Sequence, residues 1–120
     1  MKGVSDVRGT YERGSKKLQA RFKSRLVILA NLPLSEWHEG YVKSLHGPCA
    51  GLAEIRFKAD RVEQRPLGFH SGNQEFTILF WAKEKNGRFV PLSVCETALK
   101  RKAEVLENKG WADDLWIALE

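Results

Sequence analysis

Ala53-Glu54-Ile55-Arg56-Phe57-Lys58-Ala59, followed by Asp60-Arg61 and then Val62-Glu63-Gln64-Arg65-Pro66-Leu67-Gly68-Phe69, is the stretch that decides the architecture. Ala53, Ile55, Phe57 and Ala59 share one side while Glu54, Arg56 and Lys58 share the other, a period of two that specifies a strand. The run after Asp60-Arg61 is its hairpin partner. Antiparallel counting across the two-residue loop pairs Ala59 with Val62, Phe57 with Gln64 and Arg56 with Arg65. Like charges directly opposite on one sheet face are destabilising. The pattern therefore invites an anion, a carboxylate or a phosphate, between the two arginines. Pro66 lacks an amide donor and belongs on an unpaired side or at a bulge.

Downstream, Ser71-Gly72-Asn73 reads as a turn, and Phe76-Thr77-Ile78-Leu79-Phe80-Trp81-Ala82 as a central strand covered on both faces. A short Phe89-Val90-Pro91 piece leads to Ser93-Val94-Cys95-Glu96, a capping-box pattern opening a helix that runs to about Asn108. On that helix Cys95, Leu99 and Leu106 are expected inward and Lys100, Arg101 and Lys102 outward. Trp111 to Leu119 reads as one or two further turns packing Trp111, Leu115 and Trp116. Upstream, Leu18, Phe22, Leu26, Leu29 and Ala30 form one stripe of a first helix that ends at Asn31-Leu32-Pro33. Ser35 caps a second helix containing Trp37, Tyr41, Val42 and Leu45, closed by His46-Gly47-Pro48. Residues 1–15, with three glycines among polar residues, read as a flexible lead-in to a single domain over residues 16–120. The expected fold is α+β: an N-terminal helical hairpin, a three- to four-stranded antiparallel sheet and a C-terminal helix.

At 120 residues and 42% hydrophobic content, the chain can bury an ordinary core without disulfide or metal. Cys49 and Cys95 lack Cys-x-x-Cys spacing, which argues against zinc, and they read as buried thiols suited to a reducing cytoplasm. No stretch approaches the roughly 18 apolar residues of a membrane helix, and the N-terminus lacks a signal-peptide core. A cytoplasmic protein with no membrane partner is expected. The net charge of +5 is uneven: Arg8, Arg13, Lys16, Lys17, Arg21, Lys23 and Arg25 face Glu12 alone, whereas Glu104, Glu107, Asp113, Asp114 and Glu120 crowd the other end against Lys109. A basic body suits a polyanion such as nucleic acid.

Leu45-His46-Gly47, the Gly51–Asp60 strand with its Leu-Ala-Glu-Ile-Arg core, Arg65-Pro66-Leu67-Gly68-Phe69, the apolar third strand, and Cys95-Glu96-Thr97-Ala98-Leu99-Lys100-Arg101 together resemble the phage-derived branch of the RelE/HigB/ParE toxin superfamily of type II toxin–antitoxin systems. The resemblance covers roughly residues 18–108. It implies a RelE-like fold, ribosome-dependent mRNA endonuclease activity that inhibits translation without metal or other cofactor, and a cognate antitoxin. The alternative is a non-catalytic binding protein on the same fold, either a gyrase inhibitor or a phage-derived protein without nuclease activity.

Metal-free RNA cleavage needs a deprotonated 2′-hydroxyl, a stabilised phosphorane and a protonated leaving oxygen. Arginine forks bind phosphate oxygens with two donors and stay charged, so Arg56 and Arg65, with Lys58, are expected to grip the scissile phosphate. A Lys58–Glu63 surface pair is the plainer reading of that lysine. Many RelE-like enzymes use a C-terminal tyrosine for proton transfer, but the tyrosines here are Tyr11 and Tyr41. That role falls to His70, Glu54 or Glu84. Lys83, Lys85, Lys100, Arg101 and Lys102 would extend the surface along an RNA backbone. Trp81 could stack on a base, although a Trp in an apolar strand usually packs in the core.

Overall fold

The computed structural model of the chain describes residues 1–38, 40–72, 75–115 and 117. In order these form β1 (Lys2–Val4), α1 (Ser5–Arg13), α2 (Lys16–Ala30), β2 (Val42–Ser44), β3 (Ala53–Ile55), β4 (Phe57–Ala59), β5 (Val62–Gly72), β6 (Glu75–Lys85), β7 (Arg88–Val90), α3 (Val94–Glu107) and β8 (Ala112–Asp114). Single 3-10 turns lie at Leu34–Glu36, Gly47–Cys49 and Lys109–Trp111.

The hairpin that anchors the sequence reading forms in the expected register, with Phe57 opposite Gln64 and Ala59 opposite Val62. Asp60 and Arg61 carry it at φ 54° and 63°, the left-handed pair of a tight turn whose twist matches that of the strands. The same count continues to Glu54 opposite Leu67, which puts Arg56 opposite Arg65. The ladder breaks there for a reason in the sequence. The Arg56 N–H donates to the Tyr41 carbonyl on the β2 side, 2.9 Å, so Ile55 and Phe57 turn their backbone groups toward β5. Pro66, opposite Ile55, has no N–H to give. One expected strand therefore becomes β3 and β4.

The sheet overturns the expected size and pairing. Among the described residues it has eight strands in the order β2-β3-β5-β6-β1-β8, with β4 on β5 and β7 on β6. It is mixed, because β1 runs parallel to β6, so the three- to four-stranded antiparallel sheet is corrected. The helices are corrected too. The segment read as a lead-in supplies β1 and α1, and Val4 and Val7 from it are buried. The second helix of the expected hairpin does not form. Gly40 at φ 100° interrupts it, and Val42–Ser44 instead becomes an edge strand on β3. Helical spacing of Trp37, Tyr41 and Leu45 coincided with a turn followed by a strand.

Helix α2 follows the expected stripe except at its last residue, Ala30, which is exposed. Ser15 caps it, accepting from the Leu18 N–H at 3.0 Å, and Leu18, Phe22, Leu26 and Leu29 are buried. Phe22 meets Trp81 at 4.6 Å and Phe57 at 5.6 Å between ring centroids, so α2 covers the sheet face that carries those two rings. Trp81 is a core residue whose indole N–H donates to Gln64 Oε1, 2.9 Å. Helix α3 packs on β6 and β5. Its buried residues are Val94, Cys95, Ala98 and Val105, while Leu106 is exposed. Ser93 makes no side-chain cap; its ψ of 8° departs from the extended backbone that a capping box requires. Beyond α3 the single 3-10 turn at Lys109–Trp111 leads into β8 in place of the further helical turns expected there, and Trp111 is exposed. Asn73 of the expected turn and Trp116 lie outside the described residues.

Cys49 and Cys95 are joined as a disulfide, with Cα atoms 5.0 Å apart. This corrects the reading of two buried thiols. It ties the β2–β3 connector to the first turn of α3, and two turns further along that helix Lys102 Nζ donates to the Gly51 carbonyl at 2.9 Å. Among the described residues no helix is long and apolar enough to cross a membrane.

Candidate functional site

Register alone assigns one sheet face its chemistry. Lys43 lies opposite Glu54, Glu54 opposite Leu67, Lys58 opposite Glu63, and Arg65 and Glu63 lie opposite Ala82 and Glu84. Residues directly opposite share a face and alternate along each strand. Lys43, Glu54, Arg56, Lys58, Glu63, Arg65 and Glu84 therefore stand together on the face opposite α2. Leu67 and Phe80 continue that face toward α3, where the Arg101 guanidinium lies over the Phe80 ring at 5.1 Å.

Arg65 is the hub of this cluster. Its side chain is only 4% exposed, as is that of Glu54. Nε stands 3.5 Å from Glu54 Oε2 and 3.5 Å from Glu84 Oε1; Nη2 donates to Glu63 Oε2 at 3.3 Å; Nη1 donates to the Gln64 carbonyl at 2.9 Å. Two buried atoms make no hydrogen bond among the described residues, and they face each other: Arg65 Nε and Glu54 Oε2. Buried polar atoms are nearly always satisfied, so an unsatisfied facing pair calls for an explanation. A group with one donor and one acceptor, such as a ribose hydroxyl, would satisfy both.

Burial pushes the Glu54 carboxyl above its ordinary range, against the opposing pull of Arg65 and then Arg56, with Glu84 adding to the rise. A carboxyl adjusted in this way can take and return a proton nearer neutrality. Around it, Arg56 is half-buried and Lys58 exposed. Lys58 meets Glu63 at 3.9 Å, the plainer pairing considered for it. Lys43 was missed by sequence reasoning because its segment read as a helix; the alternation of Val42, Lys43 and Ser44 ahead of the strand carrying Glu54 was the available signal.

The structure brings together Glu54, Arg56, Lys58 and Arg65, with Glu84, and separates the rest. The opposed arginines do not need an external anion to coexist, because Glu54, Glu63 and Glu84 already surround Arg65. His70 lies five residues along β5, roughly 16 Å at strand rise, against Trp37, Phe76 and His38. Burial, and then His38, lower its pKa. It does not share the cluster. Lys83 and Lys85 are exposed on the opposite face by alternation. Arg101 is engaged within the protein, donating to Asp6 Oδ2 at 3.0 Å and to the Leu79 carbonyl at 2.9 Å. Lys102 is held by Gly51 and by the Phe69 ring. Lys100 is exposed on α3.

Comparison with known proteins finds no match to a family model, to a curated protein or to a solved structure.

Proposed function

We propose that this chain is a translation-inhibiting toxin of the RelE/HigB class, a metal-independent endoribonuclease acting on ribosome-bound mRNA in the cytoplasm and neutralised by a cognate antitoxin. The observation that carries the reading is the buried Glu54–Arg65 pair with its two unsatisfied atoms, rimmed by Lys43, Arg56 and Lys58. Glu54 takes the proton of the 2′-hydroxyl. The 2′-oxygen attacks phosphorus, the P–O5′ bond breaks, and the departing O5′ takes a proton from water, leaving a 2′,3′-cyclic phosphate and a 5′-hydroxyl. Arg65 and Arg56 face the negative charge that builds on the phosphorane, where fixed cationic donors contribute most. Glu54 thus fills the proton-transfer role in this site.

Induced expression with mapping of RNA ends tests this. Growth arrest with new 5′-hydroxyl ends inside open reading frames, lost in Glu54→Gln, is the expected result. Arrest that leaves messages intact would refute it. A non-catalytic binding protein is the second reading, favoured by the three carboxylates that already occupy Arg65. It predicts arrest without new ends.

A further inference from the structure

Arg65 and Glu54 are closed off from solvent, and the groups that close them are unlike one another. Glu63 and Glu84 stand directly opposite on β5 and β6, a like-charge pair that costs stability unless a cation lies between them. Arg65 is that cation, with Glu63 on Nη2 and Glu84 on Nε. The two covering carboxylates are 41% and 30% exposed, against 4% for Arg65 and for Glu54. The outer pair can therefore turn into water while the inner pair stays fixed. Glu63 also has a second partner at hand in Lys58 Nζ, 3.9 Å away.

We propose that Glu63 and Glu84 form an acidic gate over Arg65, occupying the guanidinium donors until a phosphodiester displaces them. This rests on the functional reading above and adds a layer to it: the resting site is held closed by its own carboxylates, and anion entry is a competition for one guanidinium. Arg65 Nε, buried within the cluster, lies in charge contact with Glu84 at 3.5 Å without a hydrogen bond, so it gains one when a phosphate oxygen takes the place of Glu84. Displacement costs little on the Glu63 side, because a charged rim partner remains. Weak anions are excluded by the same two charges that a polynucleotide, held also by Lys43 and Arg56, can push aside.

The test uses a fully 2′-O-methylated single-stranded RNA, which cannot be cut, with binding read by fluorescence anisotropy at fixed salt. Glu63→Gln/Glu84→Gln should bind roughly tenfold tighter than the natural chain, the scale of a removed charge competitor at a close pair. Glu96→Gln/Glu107→Gln, an equal change of two charges on exposed positions of α3, should shift affinity less than about twofold. Adding Arg65→Met to the double variant should abolish the gain. The Arg65 Nε–H NMR resonance of the double variant provides a second reading if the triple variant does not fold, and it should move on titration with the same RNA. A gain no larger than that of Glu96→Gln/Glu107→Gln, a gain that survives Arg65→Met, or an Arg65 resonance that does not move would each overturn the gate. Because the probe is uncleavable, loss of the nuclease reading leaves this result standing, and cleavage without a gated gain removes the gate alone.

Discussion

Opening the Cys49–Cys95 bond is the perturbation whose size can be worked most directly from the structure. The bond spans 46 residues of sequence. Closing a loop of that length removes about 14 cal/mol/K from the unfolded chain, or about 4 kcal/mol near room temperature. Native-state strain and residual structure in the reduced chain usually lower the realised figure, so about 2–4 kcal/mol is expected. With unfolding entropy near 2.1 cal/mol/K per residue, a chain of this length changes by roughly 0.25 kcal/mol per degree, which converts that range to a Tm loss of about 8–16 °C. The connector should stay docked after reduction, because the Lys102–Gly51 hydrogen bond and the neighbouring strand pairing do not depend on sulfur. Thermal unfolding followed by circular dichroism with and without reductant, and of Cys49→Ser/Cys95→Ser, measures this. A Tm change under about 2 °C on reduction, or two free thiols by mass in the unreduced protein, would refute the reasoning. In a reducing cytoplasm the bond is open, so the reduced form is the one whose activity matters for the proposed function.

Other outcomes follow from single residues. The raised Glu54 pKa means that the fold holds its proton more tightly than the unfolded chain does. That contribution is complete below the ordinary pKa of 4.5 and is lost as pH rises through the folded value; the Tm advantage of Glu54→Gln over the natural chain should therefore grow as pH climbs from 4.5, and a constant difference would contradict it. His70 should titrate below 6.5 by NMR, and His38→Asn should raise its midpoint, since burial first and His38 second depress it. Phe22→Ala, which empties the contact with Trp81 and Phe57, should cost about 3–5 kcal/mol in chemical denaturation. Gly68→Ala should cost about 1–3 kcal/mol, because a Cβ there collides with the Thr77 carbonyl and the Phe76 ring.

The hairpin was legible because two local codes agree in it. Strict alternation from Ala53 to Ala59 set the faces, and a two-residue loop set the register, so the pairing of Phe57 with Gln64 followed by counting. The buried stripe of α2 was legible because it has enough residues for its period to dominate, and the central β6 because an apolar run rich in β-formers is buried on both faces. Short elements were not. Lys2–Val4 has three residues and no period to read, and its place beside β6 depends on a parallel contact more than 70 residues away in sequence. Val42–Ser44 was hidden by a helical spacing that Gly40 cancels. The same error hid Lys43, while Glu54, Arg56, Lys58 and Arg65 could be grouped from the hairpin alone. What no pattern revealed is that Glu63 and Glu84 close over Arg65, since that depends on the pairing of β5 with β6 as well as on the hairpin.

The most direct test of the proposed chemistry is a reconstituted one. Purified protein is added, under reducing conditions, to ribosomes programmed with one defined message, and cut sites are read by primer extension for the natural chain and for Glu54→Gln at a temperature where both are folded. The account predicts cleavage by the natural chain and a loss of about 10²–10⁴-fold in Glu54→Gln, the range for a removed general base. Equal cleavage by the two proteins, or none by the natural chain, would contradict it.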